Sequence, residues 1–273
     1  MTPATFLDRC ISEVDGPLRR AIIDKVEPAM KQNIYDDEGF FERYSAMPRS
    51  EGGLAQAGEW HEFRALLPPL EGKSVLDLGC GFGWHCRYAV EQGAANVVGL
   101  DLSEKMLERA ERINAHPRIS YRREAIEDAA FEADSFDVVL SSLALHYVAS
   151  LEPVFARVFK LLKTGGAFVF SIEHPVFTAL EQQDWFYGEA GDILHWPLDH
   201  YQQEGERHSN WMADDVIKYH RTLSSIINSL IHAGFAIERL SEPKPDPTLL
   251  SERPELVHEN RRPIFLIVAA RKV

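Results

Sequence analysis

Four positions at the head of the most regular part of the chain can do chemistry together: Asp77, Gly79, Gly81 and Gly83, in the run SVLDLGCGFGWHCRYA over 74–89. An apolar run, glycines at every second position and then a helix-like segment describe a strand–loop–helix unit. In an open α/β sheet such a unit presents a nucleotide at the carboxyl end of its strand. Dinucleotide folds space these glycines GxGxxG and set a pyrophosphate on the helix N-terminus. Here the third glycine arrives one residue early, and a carboxylate, Asp77, stands two positions before the first. It would repel a pyrophosphate and suit a ligand that carries an ammonium and a sulfonium. Asp101, 20 residues after Gly81, ends the next apolar run and is placed to accept both hydroxyls of a ribose. Together these features ask for an adenosine with a cationic amino-acid tail and no phosphate, which is S-adenosyl-L-methionine.

Further candidates follow the later apolar runs. His146, in LALHYV, and His174, in SIEHPV, come directly after the fourth and fifth runs, and each reads as a catalytic or substrate-orienting group or as a packing or capping residue. Residues 174–220 hold three of the five tryptophans and five of the eleven histidines. Phe177, Trp185, Tyr187, Trp196, Tyr201 and Trp211 are expected to line an apolar substrate pocket in part, and in part to form the core of a subdomain. Arg221 is placed to meet a substrate carboxylate or one of the many acidic residues. Tyr35, Tyr44 and Arg49 are expected to close over the methionine end of the cofactor, with Arg49 on its carboxylate. His195, Asp199, His200 and His208 match no recognised metal-ligand spacing, so no metal is expected and a polar wall with surface histidines is the reading. Cys80 and Cys86 read as small apolar packers, Cys80 within the cofactor loop.

These residues need a frame. KSVLDLG, NVVGLDLS, RISYRRE, FDVVLSSLAL and AFVFSIE read as five strands. They alternate with helices over Trp84–Gln92, Glu104–Asn114 (capped by Ser103) and Pro153–Leu162. That rhythm means βαβ units, a parallel sheet and an α/β fold. Residues 4–49 look like amphipathic helices broken at Gly16-Pro17 and near Asn33, and RSEGGLAQAGEW like a loop before a helix. After Glu173 the rhythm stops, and 174–220 reads as a lid over the carboxyl ends of the strands. A helix over Thr222–Ala233, the strand FAIERL, a proline-rich loop over 243–263 and a last strand, IFLIVAARK, complete the chain. We divide a single domain into a helical cap (1–50), a cofactor-binding core (51–173), the lid (174–220) and core elements over 221–273. The 273 residues carry 29 Lys plus Arg against 42 Asp plus Glu, a net charge of −13, which disfavours broad binding to nucleic acid. No signal peptide and no apolar run of the ~18–20 residues needed to span a bilayer is visible, and three cysteines form no CxxC pair. A cytoplasmic protein without a membrane or nucleic-acid partner is expected. The sequence is silent on oligomeric state, with a homodimer left open.

VLDLGCGFGWHCRYAVEQGAANVVGLDLSEKML resembles the first two motifs of class I S-adenosylmethionine-dependent methyltransferases of the methyltransferase-11 type. EAIEDAAFEADSFDVVLSSLALHYV and LLKTGGAFVFSIEHP resemble the segments that follow, so the likeness covers roughly residues 70–175. It implies a Rossmann-like fold, a seven-stranded mostly parallel sheet of order 3-2-1-4-5-7-6 with the last strand antiparallel. It implies that Gly79, Gly81 and Gly83 admit the methionine part of the cofactor and that Asp77 organises the loop and the amino group. Asp101 would hold the ribose, Leu102 and Met106 would lie on the adenine, and Ile126 and Glu127 would flank its other face and amine. Many relatives have Asp where this chain has Ala125, so readout of the amine falls to Glu127, Asp128 or backbone. The expected activity is methyl transfer to a small molecule, with an RNA or protein acceptor, or a non-catalytic cofactor-binding regulator, as alternatives.

Overall fold

The structure, a computed structural model, describes residues 31–273, and residues 33–273 form one compact unit. The helical reading of 4–30 lies outside the described residues. Helices α1 (Glu38–Ser45), α2 (Pro48–Gly52) and α3 (Trp60–Leu66) precede the sheet. Its parallel part is β1 (Ser74–Leu78), β2 (Asn96–Asp101), β3 (Ile119–Arg123), β4 (Phe136–Ser142) and β5 (Leu162–Glu173). Helices α4 (Trp84–Glu91), α5 (Glu104–Ile113) and α6 (Leu151–Leu161) connect them. A short helix α7 (Pro175–Thr178) leads to two hairpins, β6 (Phe186–Tyr187) with β7 (Ile193–His195), and β8 (Gly205–Trp211) with β9 (Ala213–His220). Helix α8 (Leu223–Ala233), β10 (Phe235–Ser241), α9 (Pro247–Glu252) and β11 (Phe265–Lys272) end the chain. The large sheet runs β10-β11-β5-β4-β1-β2-β3, with β11 antiparallel to both neighbours. Counted within the sheet, this is the expected 3-2-1-4-5-7-6.

Strand β1 lies between β2 and β4, so both its faces are covered. Leu76 and Leu78 join Phe155, Phe168 and Phe170 on one side, and Val75 joins Cys86, Val138 and Val169 on the other. Each such side chain contributes about 1.5–3 kcal/mol by leaving water. The central position also fixes where β1 ends, and hence where the glycine loop begins. Ser103 caps α5 by accepting from Met106 N at 3.1 Å, and Thr222 caps α8 by accepting from Ser225 N at 3.2 Å.

Several boundaries differ from the sequence reading. Strand β4 stops at Ser142, because Leu143 turns into the left-handed region (φ 52°) and Leu145–Tyr147 forms a 3-10 turn. Most of RSEGGLAQAGEW is helical: Pro48 sits in the first turn of α2, where it needs no N–H partner, and a 3-10 turn (Gly53–Gln56) follows. The proline-rich loop contains α9, capped by Asp246, and a 3-10 segment over Pro254–Arg261. Hairpin β8–β9 escaped notice because Ser209 is the only buried residue of β8, which leaves no alternating apolar signal to read.

Candidate functional site

The glycine loop leaves β1 at the carboxyl edge of the sheet. Gly79 has φ 76°, and a Cβ there would lie 2.4 Å from the Ala144 Cβ and 3.4 Å from Ile126 Cδ1, so this residue must be glycine for the loop to pass the turn after β4. Gly81 faces open space. Its N–H donates to Asp101 Oδ2 at 2.8 Å, while Asp101 Oδ1 accepts from Ser103 N at 2.9 Å. Gly83 does not line the cleft described below. A Cβ there would lie 2.2 Å from the Tyr121 hydroxyl, so its bareness serves packing against β3.

Two carboxylates stand here without a cation, Asp77 buried and Asp101 half-buried. Asp77 is 1% exposed, its Oδ2 accepts from the Cys86 thiol at 3.3 Å and its Oδ1 has no partner. Burial pushes Asp77 up to about 7 and Asp101 up to about 6. Neither forms an ion pair among the described residues. Burial likewise raises the Cys80 thiol to about 11, which makes it an inert packer in the loop wall. A third acid, Asp36, lies at the N-terminus of α5, where it accepts from Ser103 Oγ at 2.5 Å and Lys105 N at 3.2 Å. Those bonds hold its carboxyl below the usual range against the opposing effect of burial. A ligand bringing a cation and ribose hydroxyls meets unmet demand at this edge, so S-adenosylmethionine fits the donor set.

A small cleft opens beside the loop, lined by Gly79, Cys80, Gly81, Phe82, Trp84, His85 and Ser142 of the core and by Tyr44, Arg49 and Ser50 of the preceding helices. Arg49 donates from Nη2 to Glu59 Oε1 at 2.8 Å. Burial, with Arg49 nearby, lowers His85 to about 3, so its ring is neutral. Of the residues expected on the adenine, Met106, in the first turn of α5, is 2% exposed, and Leu102 and Ile126, which follow β2 and β3, are half-buried. Glu127 is half-buried in the 3-10 turn Ile126–Asp128.

Beyond the cleft an aromatic cluster closes over the turn after β4. The Tyr35 hydroxyl donates to that of Tyr147 at 3.2 Å, Tyr35 packs edge-on against Tyr44, and Trp211 packs on Phe40 and Tyr44. Arg43 bonds the Met212 carbonyl, tying α1 to the tip of hairpin β8–β9. His146, 4% exposed, accepts at Nδ1 from Glu173 N at 3.4 Å, which leaves the proton of the neutral ring on Nε2. Burial pushes this imidazole down to about 4, with Glu173 opposing and Lys218 and Arg221 adding to the shift. Beside it lies a closed ring that sequence reasoning missed. Lys218, fully buried, donates to Glu173 Oε1 at 2.6 Å and to Gln183 Oε1 at 3.1 Å, and Gln183 donates to Glu173 Oε2 at 3.2 Å. The Lys218 ammonium also lies 5.2 Å from the centre of the Trp211 ring.

Other expected site residues have different work. His174 caps α7, accepting at Nδ1 from Val176 N at 3.0 Å, and its Nε2 meets Glu242 Oε1 at 2.9 Å, so both ring nitrogens have partners within the protein. Trp185 and Trp196, with Phe177, enclose the guanidinium of Arg262 at 5.0, 4.2 and 4.9 Å rather than an acceptor. A nearly buried cation needs such faces, and the three rings join the lid to the segment before β11. Tyr201 accepts at its hydroxyl from Leu223 N and at its carbonyl from His220 Nε2, propping the start of α8. Arg221 bonds only the carbonyls of Tyr219 and Val148 and forms no ion pair among the described residues. Burial lowers it to about 10. His195 packs on Phe186, His200 meets Gln203, and His208 meets Asp215 and Glu206. Among the described residues no three potential ligands gather as a metal site.

Comparison with known proteins agrees with this geometry. Residues 76–170 match the family model for a methyltransferase domain. The chain is similar to an uncharacterised protein of Haemophilus influenzae, 38% identical over 254 residues, covering 89% of this chain and 98% of that one. A solved structure from Listeria monocytogenes, described as a candidate S-adenosylmethionine dependent methyltransferase, is 51% identical with a TM-score of 0.77, covering 81% of this chain and 99% of that one. An S-adenosylmethionine dependent methyltransferase from Mesorhizobium loti is 46% identical with a TM-score of 0.75, covering 80% and 100%.

Proposed function

The chain belongs to the class I S-adenosylmethionine-dependent methyltransferases, and from that premise we propose that it methylates a small molecule at the carboxyl edge of the sheet, beside the aromatic cluster. The observation that carries this reading is the closure of the carboxyl edge. Tyr35, Tyr44 and Trp211 meet over the turn after β4, and the contact of Arg43 with Met212 joins the two segments that bear them. An enclosed, largely aromatic wall suits a compact acceptor rather than a polymer chain. The net charge of −13 agrees, since a nucleic-acid acceptor would call for a basic surface. Among the described residues no helix is long and apolar enough to cross a membrane.

The proposed roles divide between two ends. Gly79, Cys80 and Gly81 offer backbone to the cofactor's methionine part, Asp101 takes the ribose, and Asp77 balances the ammonium. Leu102, Met106, Ile126 and Glu127 hold the adenine, and Tyr44 and Arg49 close on the amino-acid tail. The bound cofactor supplies an electrophilic methyl group on a sulfonium. His146 acts as a neutral Nε2–H donor that orients the acceptor, since an imidazole held near 4 is a weak base at neutral pH. Arg221, without a carboxylate of its own, suits an anionic group on the acceptor. Exclusion of water by the aromatic wall and alignment of the nucleophile supply the acceleration. Incubation with methyl-labelled cofactor and a fractionated cell extract tests this. Label in the low-molecular-weight fraction is expected, and label confined to RNA or protein would overturn the small-molecule reading.

A further inference from the structure

Glu59 is a buried acid that no motif marks. It precedes α3 at the N-cap position, yet its side chain caps nothing. It is 3% exposed, gives Oε1 to Arg49 Nη2 at 2.8 Å, and its Oε2 has no partner. A buried carboxylate oxygen without a hydrogen bond is costly, and a packing role alone would be met better by an apolar side chain. What the pair achieves is the placement of a guanidinium. Arg49 stands on the wall of the cleft opposite Gly79 and Gly81, and its remaining N–H groups have no hydrogen bond among the described residues. A free arginine side chain samples many rotamers, and a carboxylate behind it fixes the plane of the fork. Asp77, in contrast, does not line the cleft. The guanidinium on the cleft wall is therefore brought from ahead of the sheet, and Asp77 acts on a ligand there only from behind the glycine loop.

We propose that Glu59 is a positioning residue of the cofactor site: it holds Arg49 so that the guanidinium meets the carboxylate of the amino-acid tail. This rests on the assignment of the cleft to S-adenosylmethionine. S-adenosylhomocysteine and 5′-methylthioadenosine share the adenosine and the thioether, and only the first has the tail. Calorimetry with both ligands on wild type, Glu59→Gln and Glu59→Asp therefore isolates the effect. Glu59→Gln should weaken S-adenosylhomocysteine about tenfold while 5′-methylthioadenosine binds as in wild type, and Glu59→Asp should recover part of the loss. An unchanged affinity for S-adenosylhomocysteine in Glu59→Gln overturns the proposal. So does an equal loss for both ligands, which is what a purely structural role gives. Failure of wild type to bind either ligand overturns the cofactor assignment itself, and is recognised as such before any variant is measured.

Discussion

Cofactor binding should be linked to protons. Buried Asp77 and half-buried Asp101 lack cations and are held near 7 and 6, so at neutral pH the free protein carries Asp77 about half protonated. A ligand with an ammonium requires both groups ionised, and binding must release what they hold. Treating the two as independent, affinity falls roughly a thousandfold from pH 8 to pH 5, about 4 kcal/mol, first through 7 and then through 6. The sign for stability is the opposite. A carboxyl raised above its unfolded value stabilises the ligand-free fold below about 4, and that contribution is lost as the pH rises through 7. The thermal shift given by ligand should therefore be larger at pH 8 than at pH 5. Titration calorimetry with S-adenosylhomocysteine in two buffers of different ionisation enthalpy counts the protons, and about half a proton should be released at pH 7. Asp77→Asn should reduce the pH dependence to the roughly tenfold due to Asp101. A flat affinity from pH 5 to 8, or a wild-type profile that survives in Asp77→Asn, refutes the reasoning.

Three other outcomes follow from the same geometry. Lys218→Met leaves the Glu173 carboxylate buried without its cation and should cost about 3–5 kcal/mol in denaturant unfolding, with part recovered when Glu173→Gln is added; a loss below about 1 kcal/mol would deny the ring its role. His146, depressed to about 4, favours the folded state fully above its unfolded value near 6.5. Roughly 3 kcal/mol is lost as the pH falls from there toward 4. Labelled-histidine NMR should show its ring neutral down to about pH 5, and turnover should show no inflection from this group between 6 and 8; titration near 6.5 would contradict this. Gly83→Ala sets a methyl group against the Tyr121 hydroxyl at a φ of 75° and should cost about 2 kcal/mol, eased by Tyr121→Leu; equal losses in the single and double variants would show that Tyr121 is not the obstacle.

The cofactor edge was legible because its determinants are local. Asp77, the glycines and Asp101 stand at fixed offsets from apolar runs, and a central strand buried on both sides leaves little freedom in where it ends. The acceptor side was not legible, because its groups meet only through topology. Lys218 and Glu173 are 45 positions apart, and Lys218 and Gln183 are 35. No spacing rule relates a polar-looking strand such as β9 to the end of β5. Aromatic richness announced that 174–220 is packed, yet composition cannot name the partner. For Trp185 and Trp196 it is Arg262, supplied from the far end of the proline-rich loop. His174 did leave a signal: a side chain able to accept a backbone N–H, followed by proline in the first turn, is the pattern of a helix start, and the structure uses it so.

Charge is divided between the two ends of the site. At the cofactor end Asp77 and Asp101 lack cations, and Asp36 raises Asp101 further. At the other end Glu173 is neutralised by Lys218 within a closed ring, His146 is neutral, and Arg221, with Glu204 and Glu152 in its field, forms no ion pair among the described residues. A cationic ligand is thus drawn to the first end and repelled by the second. On the proposed reading, an acceptor with a negative group suits the second. In a low-dielectric space such a difference is felt strongly, because little water intervenes to screen it. The same arrangement explains why the lysine of the lid is buried with its own carboxylate rather than left free. An unpaired ammonium behind Trp211 would oppose the sulfonium that the acidic end attracts, whereas the paired one fixes the wall and adds no net charge.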